Sequence, residues 1–295
     1  LDVCRMNIVT LGASGLLGSV LVPALRLADY DVATIGRSMD SDVRCDAGNS
    51  ESLFPALNNL QPDVVINLVA LTDVDQCESD PKQAFLVNLR TVENLVKWSE
   101  SGIKACHLVH ISTDQVYDGP GPHYEDDVML TNYYGFSKYA SELAVQRVAS
   151  TVLRTNFFGK SMCEKRTSFT DWVYDSVVNS RKIYLFNDVF FSPLSMVTLV
   201  EMIILVVSKK PLGIFNLGSR SGLSKSDFSQ IFMEKLKFGM ANVDIVSIDD
   251  VSFMKTYRPR DMRLHVQKFE RELDVFLPTL ESEINRVIGD YDERT

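Results

Sequence analysis

The fold is decided by Asn7-Ile8-Val9-Thr10-Leu11-Gly12-Ala13-Ser14-Gly15-Leu16-Leu17-Gly18, near the start of the 295-residue sequence. Asn7–Leu11 has the apolar character of a buried strand, and a helix is predicted from Leu16 to Leu27. Glycines between the two allow a tight turn and a close approach of the backbone to a ligand. The helix N-terminus would present unpaired N–H groups and a positive dipole end to a pyrophosphate. Strand, glycines and helix in this order predict a dinucleotide-binding turn.

Strand and helix patterns alternate after this turn. Asp63–Ala70 is a continuous apolar run, typical of a central strand in a parallel sheet. Pro81 is expected to begin a helix with one apolar face. The residues of that face are Phe85, Leu89, Val92 and Val96. Further elements are predicted as strands at Asp31–Gly36, Cys106–Ile111 and Thr151–Thr155, and as a helix at Tyr134–Val148. This alternation predicts an α/β fold with a doubly wound parallel sheet of the Rossmann type.

The alternation becomes less regular after Gly159. Helices are predicted at Phe169–Asn179, Thr198–Val207 and Ser224–Leu236, with short strands at Ile183–Phe186 and Gly213–Leu217. We therefore expect a dinucleotide-binding Rossmann domain over residues 1–160. Residues 161–295 are expected to form mainly a smaller, mixed α/β substrate-binding lobe that partly returns to the sheet.

The net charge limits the partners that the surface can attract. The chain has 39 acidic and 30 basic residues, which gives a formal net charge of −9. Such a surface repels nucleic acid and anionic lipid, so a phosphate-bearing ligand must be held by local donors. The most apolar helical stretch, Val197–Val207, contains Glu201 and is too short to span a bilayer. We expect no nucleic-acid partner and no membrane association.

The cysteines indicate neither a disulfide framework nor a metal site. The five are scattered, odd in number and without metal-ligand spacing, namely Cys4, Cys45, Cys77, Cys106 and Cys163. Reduced thiols in a cytoplasmic protein are the expectation. No signal peptide is visible, and Leu1–Arg5 precede a plausible natural start at Met6.

The end of the second predicted strand bears on the choice of cofactor. It reads Thr34-Ile35-Gly36-Arg37-Ser38, with no carboxylate at its tip to hold the ribose hydroxyls of NAD. Arg37 could instead pair with the 2′-phosphate of NADPH. NADPH is therefore the expected cofactor and NADH the alternative, although Asp40 and Asp42 lie nearby in the sequence.

Tyr134 and Lys138 are the expected reactive pair. Four residues apart on a predicted helix, they lie on the same face, one turn apart. A free tyrosine has a pKa near ~10, and a neighbouring ammonium lowers that pKa and makes the phenol usable in acid–base chemistry. About twenty residues earlier, Ile111-Ser112-Thr113-Asp114-Gln115-Val116-Tyr117 follows a strand whose carboxyl end would line the ligand crevice. Thr113 could therefore donate a hydrogen bond to a substrate oxygen that Tyr134 also reaches.

The glycine turn, Ser-Thr-Asp-x-Val-Tyr and Tyr-x-x-x-Lys, in this order, resemble the extended short-chain dehydrogenases/reductases. More narrowly, the chain resembles the dTDP-4-dehydrorhamnose reductases. The resemblance covers nearly the whole chain from Met6. Four further segments carry the narrower match, at residues 67–75, Val152-Leu-Arg-Thr155, Asn187-Asp188 and Arg258-Pro259.

The resemblance implies three sets of site residues. The implied catalytic residues are Thr113, Tyr134 and Lys138. The expected cofactor-binding residues are Gly12, Ser14, Gly15, Leu16, Leu17, Gly18, Arg37, Ser38, Asp46, Ala47, Val69, Ala70, Leu71, Ile111, Tyr134 and Lys138. The expected substrate-binding residues are Thr113, Asp114, Phe157 and Arg258. The chain departs from the family pattern at Phe157, where tryptophan is usual, at Asp261-Met262 in place of Asn-Ser, and at Leu68-Val69 in place of two small residues.

The activity implied is reduction of the 4-keto group of a nucleotide-diphospho-6-deoxysugar, with a proton from Tyr134. A 4,6-dehydratase is disfavoured because Asp114 is followed by Gln115, and an amide cannot abstract a proton. A sugar-nucleotide epimerase remains open. So does a non-catalytic regulatory subunit like the beta subunit of methionine adenosyltransferase, which resembles the same reductases. The expected partners are the nucleotide-sugar substrate and, as the assembly considered, a second copy in a homodimer.

Overall fold

The computed structural model describes residues 5–164 and 166–292. Cys4 and the other residues before Arg5 in the expected extension, Leu1–Arg5, lie outside the described residues. The helices are α1 (Leu16–Leu27), α2 (Ser50–Leu60), α3 (Val74–Ser79), α4 (Pro81–Ala84), α5 (Thr91–Glu100), α6 (Tyr133–Val145), α7 (Phe169–Val178), α8 (Met196–Lys209), α9 (Lys225–Lys235), α10 (Gln267–Leu273) and α11 (Leu280–Val287). The strands are β1 (Asn7–Leu11), β2 (Asp31–Gly36), β3 (Val43–Arg44), β4 (Val64–Asn67), β5 (His107–Thr113), β6 (Ser150–Thr155), β7 (Phe157–Phe158), β8 (Ile183–Phe186), β9 (Phe190–Phe191), β10 (Leu194–Ser195), β11 (Gly213–Leu217), β12 (Leu223–Ser224) and β13 (Val243–Val246).

Seven strands form one sheet in the order β11-β6-β5-β4-β1-β2-β3. β1 pairs in parallel with β2 and β4, and β4 pairs in parallel with β5. All four residues of β4 are buried, as are all six of β6, because helices cover both faces of such a sheet. The strand order reverses beside β1, the topological switch point at which doubly wound folds bind ligands. The predicted fold class is confirmed.

The predicted helix face between Pro81 and Glu100 is wrong in its first half. Phe85–Arg90 is a π-helical segment between α4 and α5, and the wider turn shifts the residues that follow it by one position. The buried positions there are Ala84 and Asn88, whereas Phe85 and Leu89 are only half-buried. Val92 and Val96 are buried as expected. A buried asparagine thus replaces an apolar side chain, and it belongs to the candidate site.

The chain forms two compact units. The first comprises residues 1–113, 132–154 and 200–215, and the second comprises residues 114–131, 155–199 and 216–295. Each has its own apolar core, around Val9, Val65 and Leu108 in the first unit and around Phe158, Phe228 and Phe232 in the second. The second unit contains short two-stranded pairings, β7 with β10, β9 with β12 and β8 with β13. The sequence analysis predicted a single domain boundary near residue 160, whereas the chain passes between the two units several times. Which unit binds cofactor and which binds substrate stays a prediction.

The structure bears on the predictions about the cysteines and about membrane-spanning helices. Cys45, Cys77, Cys106 and Cys163 are free thiols. Within residues 5–164 and 166–292, no helix combines the length and the apolar character needed to cross a bilayer.

Candidate active site

The glycine turn between β1 and α1 has a backbone that side chains would disrupt. Gly12 has φ +83°, and a Cβ there would lie 3.0 Å from backbone atoms of Leu68 and Val69. A Cβ on Gly18 would lie 2.6 Å from the carbonyl oxygens of Gly12 and Ala13. These two glycines let β1, α1 and the segment after β4 pack against one another closely.

The first turn of α1 presents its N–H groups without a side-chain cap. Gly15 is the N-cap residue and has no side chain that could accept a hydrogen bond from the helix start. The Gly15 N–H itself donates to the Gly12 carbonyl at 3.1 Å. Ser14 is exposed, Leu16 is half-buried and Leu17 is buried. The N–H groups of such a turn, together with the helix dipole, can bind a pyrophosphate.

Arg37 follows β2 with an exposed side chain. The nearby acidic residues are engaged elsewhere, because Asp42 accepts hydrogen bonds from the Thr34 hydroxyl at 2.8 Å and from Arg26 at 3.2 Å. Burial alone would raise the pKa of Asp42, but these bonds hold that pKa below its usual range. Asp40 accepts a bond from the Ser38 hydroxyl at 3.1 Å. Within the described parts of the chain, no carboxylate forms an ion pair with Arg37, so its guanidinium is available to a ligand.

Asp46 and Ala47 follow β3, at the next strand end along this side of the sheet. Asp46 is exposed, and its Oδ1 accepts a 3.0 Å bond from the Gly48 N–H. Ala47 is buried, and its carbonyl accepts a 3.0 Å bond from Asn94 Nδ2 on α5. The two residues are therefore fixed to their surroundings, with the Asp46 carboxylate facing solvent.

The strand predicted at Asp63–Ala70 is shorter than expected and ends at Asn67. Beyond it the chain leaves the sheet, because Asn67 Oδ1 accepts the Val69 N–H at 3.1 Å. Asn88 in the π-helical segment then binds both backbone groups of Leu71, at 2.7 Å to the N–H and 3.1 Å to the carbonyl. Side-chain amides thus hold Val69, Ala70 and Leu71 in an irregular conformation that strand pairing would not allow.

Tyr134 and Lys138 lie one turn apart on α6, as predicted, and both are buried. Asn132 caps this helix by accepting the Gly135 N–H at 2.9 Å, which sets where the helix begins. The Lys138 ammonium donates to the Ile111 carbonyl of β5 at 2.7 Å. Thr113, at the end of the same strand, is also buried. Within the first unit, β5 and α6 therefore carry all three predicted catalytic residues.

A buried polar chain supports Lys138 from beneath. His110 bonds Asn67 through Nδ1 at 3.1 Å and the Ser141 hydroxyl through Nε2 at 2.9 Å, and Nε2 lies 3.4 Å from the Lys138 ammonium. Burial first, and then the Lys138 charge, lower the pKa of His110 well below its usual range, so the imidazole is neutral. Burial also lowers the pKa of Lys138 to about 8, which the Glu142 carboxylate partly opposes.

The second unit carries the three other residues predicted to contact substrate. Asp114 is buried, and its Oδ2 accepts a 2.7 Å bond from Asn156 Nδ2. Phe157 is half-buried in β7, and its N–H donates to Asn156 Oδ1 at 2.8 Å. Arg258 is half-buried, with Nη1 3.0 Å from the Thr256 carbonyl. Asn156 therefore joins Asp114 to the strand that carries Phe157.

Sequence reasoning missed several polar residues that support these groups. Asn88 also donates to the Ser137 hydroxyl at 2.8 Å, next to Lys138 in the chain. His110 and Glu142 are both close to Lys138, and neither belongs to a sequence motif that would have identified it. A signal for Asn88 was available, since a lone polar residue at a core position between apolar ones indicates a hydrogen-bonding role. Asp261 of the unusual Asp261-Met262 pair has a structural partner, because its carboxylate binds the Arg263 guanidinium.

The fold and the site define a class of protein. A doubly wound sheet, a glycine turn before α1 and a Tyr-x-x-x-Lys pair on α6 are the features of the extended short-chain dehydrogenases/reductases, as predicted. The model of the family described as the RmlD substrate binding domain matches residues 6–293. The chain belongs to that family.

Relatives of similar length include named reductases. A dTDP-4-dehydrorhamnose reductase of Salmonella typhimurium is 28% identical over 314 residues, which cover 96% of this chain and 97% of the relative. A probable low-salt glycan biosynthesis reductase of Haloferax volcanii is 29% identical over 285 residues, with 92% and 94% covered. The crystal structure of a Bacillus anthracis dTDP-4-dehydrorhamnose reductase in complex with NADP has a TM-score of 0.86. It is 23% identical, covers 97% of this chain and 99% of its own, and shows that the fold is shared.

Proposed function

We propose that this chain is an NADPH-dependent reductase that converts the 4-keto group of a nucleotide-diphospho-6-deoxysugar to an alcohol. Relatives named dTDP-4-dehydrorhamnose reductase align with nearly its whole length, which supports an oxidoreductase of this substrate class. The observation that carries the proposal is the buried Lys138 ammonium, one turn after Tyr134 and bonded to the Ile111 carbonyl. A buried ammonium close to Tyr134 can stabilise the phenolate that forms when the tyrosine gives up its proton.

The glycine turn fits a dinucleotide. Gly12 and Gly18 sit where any side chain would collide with backbone, and the start of α1 has no side-chain cap to compete for its N–H groups. Arg37 offers a charge for a 2′-phosphate, and the Asp46 carboxylate faces solvent beyond β3. Lys138 would hold the nicotinamide ribose. When bound, the nicotinamide supplies the hydride that reduces the carbonyl carbon.

The protein's own residues supply the proton. Tyr134 donates its phenolic proton to the substrate oxygen, and Thr113 donates a hydrogen bond to the same oxygen. The Lys138 ammonium then stabilises the phenolate that remains, which lowers the energy of the charged transition state. Asn67, His110 and Ser141 hold the ammonium in position, and the neutral imidazole adds no competing charge. Asp114, Phe157 and Arg258 are proposed to bind the sugar nucleotide.

One assay separates this function from its rivals. The purified protein is incubated with NADPH and a panel of dTDP-, UDP- and GDP-linked 4-keto-6-deoxysugars, and cofactor oxidation is followed by absorbance. A reductase oxidises NADPH with at least one of them, whereas a regulatory subunit or an epimerase produces no net oxidation. If no sugar in the panel is reduced, the proposal is wrong.

A second assay addresses the dehydratase. The protein is incubated with nucleotide-linked hexoses and oxidised cofactor, and the products are analysed by mass spectrometry. Gln115 lacks the acid–base chemistry that elimination needs, so no 4-keto-6-deoxy product is expected. A homodimer and a cytoplasmic location also stay predictions, which sedimentation velocity and cell fractionation test directly.

A further inference from the structure

Arg44, in the first unit, lies at the same level of the sheet as the glycine turn. Leu11, the last residue of β1, pairs in register with Ile35 of β2, and Ile35 pairs with Val43 of β3. Arg44 pairs with Gly36 in the next row, so it is level with the first residue of the glycine turn. Because neighbouring strands are about 4.8 Å apart, these two positions are separated by about 10 Å across the sheet. Arg44 is exposed at this end of the strands, where doubly wound sheets bind their ligands.

The guanidinium of Arg44 forms no ion pair within residues 5–164 and 166–292. It lies instead against the Met39 thioether, with Nη1 3.2 Å from the sulfur. A thioether is a weak acceptor, so an oxygen of a ligand would be a stronger partner for these donors. Met39 is 78% exposed, and it can therefore move aside without disturbing the core.

The loop between β2 and β3 is held firmly, so the residues at its two ends have fixed backbone positions. The Asp42 N–H donates to the Thr34 hydroxyl at 2.9 Å, and the Thr34 N–H donates to the Asp42 carboxylate at 2.9 Å. The same carboxylate pairs with Arg26 at 3.2 Å, which balances its charge. The loop also folds closely over β2, because a Cβ on Gly36 would lie 2.7 Å from the Ser41 hydroxyl oxygen.

The charges of residues 37–46 show why a single arginine would be insufficient for an anionic ligand. Apart from the ion pair just described, this stretch contains the carboxylates of Asp40 and Asp46, which bind uncharged donors and so keep their negative charge. With Arg37 as the only other cation, the stretch would carry a net negative charge and repel a phosphate. Arg44 offsets the second carboxylate and removes that repulsion.

We propose that Arg44 binds the 2′-phosphate of NADPH together with Arg37, and is a second determinant of the preference for NADPH over NADH. The inference rests on the proposed function for its cofactor. A phosphate monoester carries about 1.5 to 2 negative charges at neutral pH, which one guanidinium does not balance. Each guanidinium presents a planar fork of N–H donors that matches phosphate oxygens. Two such groups from adjacent strand ends can therefore bind different oxygens of one phosphate.

Two small probes test this role without any turnover. Adenosine 2′,5′-bisphosphate and 5′-AMP differ only in the 2′-phosphate, and isothermal titration calorimetry measures the affinity for each. Arg44→Ala is expected to weaken binding of the bisphosphate by about fivefold to tenfold, the effect of losing one exposed ion pair with a phosphate. Binding of 5′-AMP should not change, which also shows that the variant is folded. Arg147→Ala, which removes an exposed arginine from α6–β6, is the control and should bind both probes like the parent.

The double variant Arg37→Ala/Arg44→Ala extends the test. If the two arginines are the cations that hold the 2′-phosphate, this variant should bind the bisphosphate no more tightly than 5′-AMP. Arg44→Lys keeps the charge but not the planar fork, so it should retain part of the affinity that Arg44→Ala loses.

The outcomes distinguish this role from the proposed activity. If Arg44→Ala binds the bisphosphate like the parent, or if the parent binds both probes equally, the inference is wrong. An equal loss of affinity for both probes would also overturn it, because Arg44 would then act on a part of the nucleotide other than the 2′-phosphate. A loss confined to the bisphosphate, in a protein that reduces no keto-sugar, would support the role of Arg44 and contradict the reductase.

Discussion

Arg154 and Glu142 form an ion pair that is sealed from solvent, with the arginine Nη2 2.6 Å from the glutamate Oε2. Nε of Arg154 donates to both oxygens of the same carboxylate, at 3.0 and 3.1 Å, and the Ser112 hydroxyl donates to Oε1. The ion pair links β6 to α6, and the hydrogen bond from Ser112 links β5 to the same carboxylate. Since Lys138 lies one turn before Glu142, these contacts also fix the helical turn that carries the reactive lysine.

Breaking this pair should destabilise the protein strongly. Glu142→Gln leaves the buried charge of Arg154 uncompensated, and Arg154→Met leaves the buried charge of Glu142 uncompensated. Each variant is therefore expected to lower the free energy of unfolding by about 3–5 kcal/mol. The exposed pair between Arg147 and Glu100 is the matched control, and Arg147→Gln should cost less than about 1 kcal/mol. Urea unfolding followed by circular dichroism measures both.

The double variant Glu142→Met/Arg154→Leu sharpens the test. Because it removes both charges together, it should be less destabilised than either single variant. Additive losses in the double variant would mean that the two charges do not interact as the geometry indicates.

Arg37 should select the cofactor. Its guanidinium has no ion-pair partner among the described residues, so it can pair with the 2′-phosphate of NADPH. Arg37→Ala is expected to weaken NADPH binding by about fivefold to tenfold, the effect of one exposed ion pair with a phosphate, and to leave NADH binding nearly unchanged. Fluorescence titration of the parent, Arg37→Ala and an Arg147→Ala control measures these affinities. Equal affinities of the parent protein for NADPH and NADH would contradict the assignment.

Local signals allowed several element boundaries to be predicted from the sequence. Asn7–Leu11, Leu16–Leu27, Asp31–Gly36 and Ile183–Phe186 are observed with the predicted ends. In these segments the apolar pattern, the glycines and the polar flanking residues all favour the same structure. The Tyr134–Lys138 pair could be predicted for a similar reason, because helical periodicity alone puts both residues on one face.

Features that depend on distant residues were not predictable. The π-helical segment at Phe85–Arg90 breaks the regular period from which the apolar face was predicted. Asn88 stood out locally as a lone polar residue among apolar ones, but its hydrogen-bond partners Leu71 and Ser137 are distant in the sequence. The Arg154–Glu142 pair depends on how β6 packs beside α6. No local pattern carries that information.

Lys138 should give the reaction a pH dependence. Burial lowers the pKa of its ammonium to about 8, so the ammonium is present below that pH and is lost above it. Since the ammonium is proposed to stabilise the Tyr134 phenolate and to bind the ribose, kcat/KM for reduction should fall as the pH rises through about 8. A profile that remains flat well beyond this range would contradict the role of Lys138.

The same pKa makes a separate prediction about stability. The ordinary lysine pKa is 10.5, so between about 8 and 10.5 the unfolded chain binds the proton more tightly than the folded protein. The contribution of Lys138 to the free energy of unfolding therefore rises with pH across this window. Lys138→Met lacks this titrating group. The free energy of unfolding of the parent, relative to that of Lys138→Met, should therefore rise as the pH increases across this window. Urea unfolding of both proteins at several pH values measures the difference.

Tyr134→Phe tests the centre of the proposed mechanism. The substitution keeps the ring in its cluster with Val74, Cys77 and Ala84 but removes the hydroxyl that donates the proton. Turnover of the keto-sugar should fall by roughly a hundredfold to ten-thousandfold, as is typical when a general acid is lost. NADPH affinity should change little, because the glycine turn and Lys138 are the groups proposed to bind NADPH. Stopped assays for turnover and calorimetry for binding measure the two quantities independently.

Two further variants separate this role from general damage to α6. The neighbouring Tyr133 is partly exposed, and Tyr133→Phe removes a hydroxyl from the same helical turn, so parental turnover is expected. Lys138→Met removes both the charge proposed to stabilise the phenolate and the proposed ribose contact, so turnover and NADPH binding should decline together. The alternative is that Tyr134 and Lys138 have no catalytic role. In that case both Tyr134→Phe and Lys138→Met would reduce the keto-sugar at the parental rate. That result would leave a dinucleotide-binding fold without its proton donor, and the reaction would need a different acid.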